Sequence, residues 1–130
     1  MIDGLTGKRV LIVEDEFYIA SNLRRSLHDL GAIVIGPAPD LATALPLAEE
    51  ALDAAVLDVN LDYEQSFPVA DRLRERGIPF LLLTGYDAWA LPESYQDAPR
   101  LAKPFATNAV ATMLEQVMAP PLVSLREVSG

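Results

Sequence analysis

Residues 8–16 read KRVLIVEDE. The first six lead from Lys8 and Arg9 into a short apolar run with β-branched residues, the pattern of a buried strand. The last three set Glu14, Asp15 and Glu16 directly at its carboxyl end. Residues 17–30 follow with Ile19, Leu23, Leu27 and Leu30 at helical spacing, and Gly31 stands where helices favour a glycine stop. The same alternation runs through the chain. Residues 32–35 (AIVI) read as a second strand closed by Gly36-Pro37. Asp40 is placed to cap a helix through about Leu52, with Leu41, Leu45, Ala48 and Leu52 on one face and Pro46 inside it. Residues 54–57 (AAVL) read as a third strand. Ser66 or a neighbour then opens a helix to Arg76, with Val69, Ala70 and Leu73 inward and Gly77 at its end. Residues 78–83 (IPFLLL) read as a fourth strand, with Pro79 tolerable near its start. Residues 87–95 predict a short or irregular helix, because Pro92 and Pro99 interrupt it. Residues 100–102 predict a minimal fifth strand, and residues 107–118 a last helix with Val110, Leu114 and Val117 on one face. Five strands alternating with about five helices imply an α/β fold, a parallel sheet covered on both faces.

The composition fits one such domain. The 130 residues are 51% apolar and 22% charged, values of a globular chain rather than a disordered one. A chain of this length buries roughly two thirds of the surface it exposes when unfolded. The net charge of −9 argues against non-specific nucleic-acid binding, which depends on neutralising phosphates with Lys and Arg. The absence of cysteine excludes a disulfide scaffold, a Cys-based zinc site and a thiol nucleophile. No apolar run follows the first charged residues as in a signal peptide, and none approaches the ~18 residues of a membrane span. The expectation is an acidic, soluble, cytoplasmic domain without membrane contact.

In a parallel α/β sheet, ligands bind beyond the carboxyl ends of the strands. The residues there are Glu14, Asp15 and Glu16 after the first strand, Asp58, Val59 and Asn60 after the third, Thr84 and Gly85 after the fourth, and Lys103-Pro104 after the fifth. Two unit charges 4 Å apart repel by about 4 kcal/mol at an effective dielectric of 20, so converging carboxylates call for protonation or a bridging cation. All-oxygen donors suit a hard ion, and Mg²⁺ is the simplest reading. Lys103 is one of two lysines in a chain with eight arginines, a mobile point charge beside the acidic group. Lysine next to a Mg²⁺-binding carboxylate site is equipment for phosphoryl transfer. Each residue alone has an ordinary structural reading: helix-dipole charges for Glu14 and Asp15, a turn or cap for Asp58, a turn at Thr84-Gly85, a surface lysine at 103. Their conjunction at the ends of successive strands points to one shared site. His28 reads as a solvent-facing helix residue with no second histidine for a metal, and Trp89 and Tyr95 as core.

The segments VLIVEDE (residues 10–16), AVLDVNL (55–61), LLLTGY (81–86) and LAKPF (101–105), in this order and spacing, resemble the receiver domains of bacterial two-component response regulators over residues 7–118. The resemblance implies a flavodoxin-like fold with strand order 2-1-3-4-5. It implies that Asp58 accepts a phosphoryl group and that Asp15, with Glu14, Asp58 and the Asn60 backbone carbonyl, holds Mg²⁺. Thr84 would turn its hydroxyl to the phosphoryl group and Lys103 would pair with it. Gly85 would leave room beside Thr84, Asn60 and Tyr86 would flank the path of hydrolytic water, and the Lys103–Pro104 bond would be cis. TGY followed by prolines and LAKPF is similar to the stand-alone receivers nicknamed FAT GUY, with Leu82-Leu83 in place of Phe-Ala. That subfamily implies an HWE-type histidine kinase as partner and a role as shuttle or phosphate sink, while the wider family implies a histidine kinase or a histidine phosphotransfer protein as donor. The expected state is a monomer or weak homodimer.

One departure is Arg100, where the family's switch aromatic usually stands three residues before the lysine. Together with Pro92 and Pro99, it predicts that residues 87–98 carry a short, mobile helix that orders on phosphorylation. Residues 119–130 read as a tail with no effector domain, so output is expected through protein contact or by draining phosphate. The domain would catalyse its own modification and would not be an enzyme on another substrate. A phosphatase or mutase with an aspartyl nucleophile needs a carboxylate two residues after Asp58, where Asn60 stands. A nucleotide or flavin binder needs a glycine- or hydroxyl-rich loop where this chain has EDEFY. A pseudo-receiver used only as a scaffold would not need the full set of site residues.

Overall fold

A computed structural model describes residues 4–85 and 91–119. Their elements are β1 (Arg9–Val13), α1 (Phe17–Asp29), β2 (Ile33–Ala38), α2 (Leu41–Leu47), β3 (Ala54–Asp58), β4 (Asn60–Leu61), β5 (Glu64–Gln65), α3 (Phe67–Glu75), β6 (Phe80–Thr84), β7 (Arg100–Ala102) and α4 (Thr107–Met118). A short 3-10 turn spans Glu93–Tyr95. The main sheet runs β2-β1-β3-β6-β7, all parallel. With the β4–β5 hairpin set aside, that order is 2-1-3-4-5, a flavodoxin-like sheet.

Strand alternation divides the core into two layers. Val10, Ile12, Ala54, Val56, Leu81 and Leu83 pack under α1 and α4, together with Leu23, Leu27, Val110 and Leu114. Leu11, Val13, Ala55, Leu57, Phe80 and Leu82 pack under α2 and α3, with Val69, Leu73 and Tyr95. Strands buried on both faces need continuous apolar runs, and β1, β3 and β6 have them.

Glycine ends two helices by the same geometry. Gly31 (φ +92°) lets its own N–H donate to His28 O and the Ala32 N–H to Leu27 O at 3.0 Å. Gly77 (φ +71°) does the same at the end of α3, with the Ile78 N–H on Leu73 O at 2.9 Å. Both are Schellman stops, in which a left-handed glycine satisfies the last carbonyls.

Two expected boundaries move. The helix capped by Asp40 ends at Leu47 and not near Leu52. Asp40 Oδ1 does accept the Thr43 N–H at 2.8 Å, but Pro46 lies in the last turn and the chain tightens into short bonds, Glu49 N–H to Pro46 O and Glu50 N–H to Leu47 O. Arg76 then takes up the Ala48 and Glu50 carbonyls. The second strand does not close at Gly36-Pro37 but continues to Ala38. Gly36 (φ +95°) passes so close to Ile12 O that a Cβ would sit 2.9 Å from it, a place only glycine fills. Between Asp58 and α3 the chain forms the β4–β5 hairpin, an element the sequence pattern did not suggest. Of the helix expected over 87–95, residues 86–90, Tyr86 and Trp89 included, lie outside the described residues. The remainder is the 3-10 turn.

That last segment is not loosely held in its described part. Leu91, Tyr95 and Ala98 are buried. The Tyr95 ring lies 5.0 Å from Phe67 and 6.2 Å from Phe80, Arg74 stands 4.0 Å above it, and its hydroxyl donates to Asp71. Arg74 Nη1 also donates to Ser94 O at 2.7 Å. The short, irregular element expected here is found, and its described residues 91–98 pack on the core: prolines preclude a regular helix here but do not preclude packing.

Candidate functional site

Parallel register brings the site together. Asp58 ends β3 opposite Leu83, so Thr84 lies one residue beyond it on β6. Thr84 pairs with Ala102, and its carbonyl accepts the Lys103 N–H at 2.7 Å. Glu14 and Asp15 follow β1, the neighbour of β3 on the other side. Glu14, Asp58 and Thr84 are buried, whereas Asp15 is half-buried and Asn60 exposed.

Lys103 Nζ lies 3.0 Å from Asp58 Oδ2 and 3.2 Å from Glu14 Oε1. The first contact is a hydrogen bond. The second is an ion pair only, and Glu14 Oε1 is left buried without a hydrogen-bond donor. Glu14, Asp15 and Asp58 each offer a carboxylate oxygen within 4.8 Å of the others. One ammonium and three carboxylates leave a deficit of positive charge. A buried, donor-free carboxylate oxygen beside two further oxygen ligands fits a hard divalent cation such as Mg²⁺.

The electrostatics agree. Burial, reinforced by the Asp58 carboxylate, pushes the Glu14 carboxyl up to about 8 from 4.5. Burial also works against the Lys103 ammonium, but Asp58 and Glu14 outweigh it and raise Lys103 above its ordinary value. Burial would raise Asp15, yet the Asp62 N–H and the other hydrogen bonds at this carboxylate hold it below its ordinary value. A carboxyl raised on folding stabilises the fold below its unfolded pKa and loses that contribution as pH climbs to its folded one. The melting temperature of the metal-free protein is therefore expected to fall between about pH 4.5 and 8. Glu14→Gln should flatten that slope. Millimolar Mg²⁺ should raise the melting temperature, and more at pH 8 than at pH 5, because the Glu14 proton competes with the ion. A Mg²⁺ effect equal at both pH values would remove Glu14 from the ion's surroundings.

Gly85, Lys103 and Pro104 line a cleft of about 440 Å³ with Ile19 and Phe105, beside Lys103. The Lys103–Pro104 peptide bond is cis. Asn60 opens the hairpin: its N–H lies 3.3 Å from Asp58 Oδ1 and its side-chain oxygen accepts from Gln65. Arg100 is not brought into the site. It is exposed, and its guanidinium donates to Gln96 O at 2.9 Å. Tyr86 lies outside the described residues. One contributor went unrecognised in the sequence: the backbone N–H of Asp62, which donates to Asp15 Oδ2 at 3.1 Å. An acidic residue at a turn was the only hint of it, since aspartate tolerates the left-handed backbone (φ +37°) found there.

No helix among the described residues is long and apolar enough to cross a membrane. No protein-family model matches the chain. The solution structure of SdrG from Sphingomonas melonis Fr1 is 39% identical, covers 89% of this chain and 98% of its own, and superposes with a TM-score of 0.74. A second structure of SdrG, in a BeF3-activated conformation, is 38% identical with a TM-score of 0.71. Response regulator MprA from Mycobacterium sp. (strain KMS) is 35% identical over 127 residues, 93% of this chain and 52% of its own. The chain spans about half the length of the curated relatives it matches. Response regulator TrrA from Thermotoga maritima, solved with Mg²⁺ and BeF, is 23% identical, covers 85% of this chain and 98% of its own, and has a TM-score of 0.70, a likeness of fold. With the 2-1-3-4-5 parallel sheet and the acid–lysine cluster at its carboxyl edge, these likenesses show that the chain belongs to the response regulator receiver family.

Proposed function

We propose that Asp58 is the phosphoacceptor and that the chain passes or withholds phosphate in a two-component pathway. The observation that carries this reading is the Asp58 carboxylate, held by the Lys103 ammonium at 3.0 Å within reach of two further carboxylates. An Asp58 carboxylate oxygen attacks the phosphorus of a phosphohistidine on the donor. The new O–P bond forms as the P–N bond breaks, and the imidazole leaves, taking up a proton. The product at Asp58 is an acyl phosphate. Lys103 shifts from carboxylate to a phosphoryl oxygen, and Thr84, at the end of the neighbouring strand, is placed to turn its hydroxyl to the same group. Asp15, Asp58, Glu14 and the Asn60 backbone carbonyl would hold Mg²⁺, which when bound supplies charge neutralisation for the transferring phosphoryl group. Water attack on the acyl phosphate restores Asp58. The domain is then substrate and catalyst of its own modification rather than an enzyme on another substrate.

The donor is a histidine kinase, of the HWE type by the resemblance of residues 80–105 to the FAT GUY receivers, or a histidine phosphotransfer protein. Exposed Phe17, Tyr18 and Tyr63 on the two segments flanking the acidic edge support a protein donor. The shuttle or sink role, a monomer or weak homodimer, and output without nucleic acid or membrane belong to the same reading. Incubation with acetyl phosphate and Mg²⁺ should add one phosphoryl group by intact mass, and chelation of the metal should prevent it. Uptake undiminished by chelation would overturn the metal part of the proposal.

A further inference from the structure

Each of the three clustered carboxylates has one oxygen tied by a backbone N–H. Glu16 N–H donates to Glu14 Oε2 at 3.1 Å, Asn60 N–H to Asp58 Oδ1 at 3.3 Å, and Asp62 N–H to Asp15 Oδ2 at 3.1 Å. The first two donors lie two residues from their acceptors. The third comes from 47 residues away, at the tip of the β4–β5 hairpin. Beyond the contribution of its own backbone N–H, Asp15 takes this donor from the remote hairpin.

The hairpin is built to hold that donor in place. Asn60 pairs with Gln65 and Leu61 with Glu64, and the Gln65 amide donates to the Asn60 side chain at 3.3 Å. Leu61 is fully buried in the core under α2 and α3. Glu64 Oε2 accepts the Leu41 N–H at 2.9 Å, tying one strand of the hairpin to the start of α2. The Ser66 N–H closes the base on Val59 O at 3.0 Å. Asp62 itself adopts φ +37°, which turns its N–H toward Asp15 while its side chain stays exposed.

We infer that the Asp62 backbone amide is a positioning group for the metal-binding carboxylate Asp15, so that the β4–β5 hairpin sets the affinity of the site for a divalent cation. The inference rests on the proposed role of Asp15 as a metal ligand. Groups behind a metal ligand that orient it are worth about 10–100-fold in affinity. The contribution comes from the N–H and the left-handed backbone, not from the Asp62 carboxylate.

Mg²⁺ titration of the intact protein by calorimetry separates these possibilities. Asp62→Gly keeps the N–H and favours positive φ, and should bind Mg²⁺ within about twofold of the unmodified protein. Asp62→Pro removes the N–H and cannot adopt positive φ, and should weaken Mg²⁺ by about tenfold. Asp15→Asn is the control for the underlying reading. If Asp15→Asn leaves Mg²⁺ binding unchanged, the metal reading fails. If it weakens binding while Asp62→Pro matches the unmodified protein, the positioning inference alone fails. Should Asp62→Pro not fold, amide exchange decides. The Asp62 amide should be protected in the unmodified protein and exchange about tenfold faster in Asp15→Ala, with Ser66 unchanged. An Asp62 amide indifferent to Asp15→Ala overturns the inference.

Discussion

Asp58→Asn protein is expected to acquire no phosphoryl group from acetyl phosphate or from a phosphorylated histidine donor, while the unmodified protein acquires one. The substitution is nearly isosteric. It replaces an anionic oxygen nucleophile with an amide whose lone pair is delocalised, so attack on phosphorus stops while packing persists. The fold should survive, because Lys103 keeps Glu14 as an ion partner at 3.2 Å. The metal-free variant should even hold Glu14 less strongly protonated, since Asp58 is one of the causes that raise it. Its melting temperature without Mg²⁺ should therefore be no lower than that of the unmodified protein. Glu14 and Asp15 are the neighbouring carboxylates. Of the three, only Asp58 takes a hydrogen bond from the Lys103 ammonium, and burial pushes Glu14 toward its protonated form. Full phosphorylation of Asp58→Asn by intact mass would reassign the nucleophile to one of them.

How far the sequence discloses this arrangement depends on which force decides each element. Residues 10–13, 54–57 and 80–83 are apolar without interruption, and a strand buried on both faces is what such runs make. The stops at Gly31 and Gly77 were readable because a left-handed residue is required there and glycine supplies it cheaply. The residues at the strand ends were readable for the same reason: once the strands are placed, topology puts Glu14, Asp58, Thr84 and Lys103 on one edge. The hairpin was not readable. Its strands are two residues each, mostly polar, and its turn is Asp62-Tyr63 rather than a glycine-bearing pair. Long-range contacts anchor it: Leu61 in the core, Glu64 on Leu41 and Asp62 on Asp15. The ending of α2 escaped for a similar reason, because the apolar spacing of Ala48 and Leu52 continues past the point where Pro46 and the Arg76 guanidinium terminate the helix.

Tyr95→Ala should cost about 3–5 kcal/mol of unfolding free energy in urea denaturation, the range for deleting a buried aromatic side chain. Tyr95 is 2% exposed and fills the space between Phe67 on α3 and Phe80 on β6. Arg74 covers its ring at 4.0 Å, so removal of the ring also strips a cation from its aromatic partner. Tyr95→Phe should cost only about 1 kcal/mol, because the packing is kept and the hydrogen bond lost is to the exposed carboxylate of Asp71, which water can serve. The contrast isolates packing from the hydroxyl. Residues 91–98 join the region after Thr84 to β7, and thus to Lys103, and their attachment bears on how the site's two far strands are held. If Tyr95→Ala loses the full 3–5 kcal/mol, the segment unfolds together with the core on which it packs. If it leaves global stability intact and speeds amide exchange only in residues 91–98, the segment is a separate cooperative unit whose opening is independent of the sheet. The second result would show that one aromatic anchor, with the Arg74 to Ser94 carbonyl bond beside it, is what fastens the segment to the sheet.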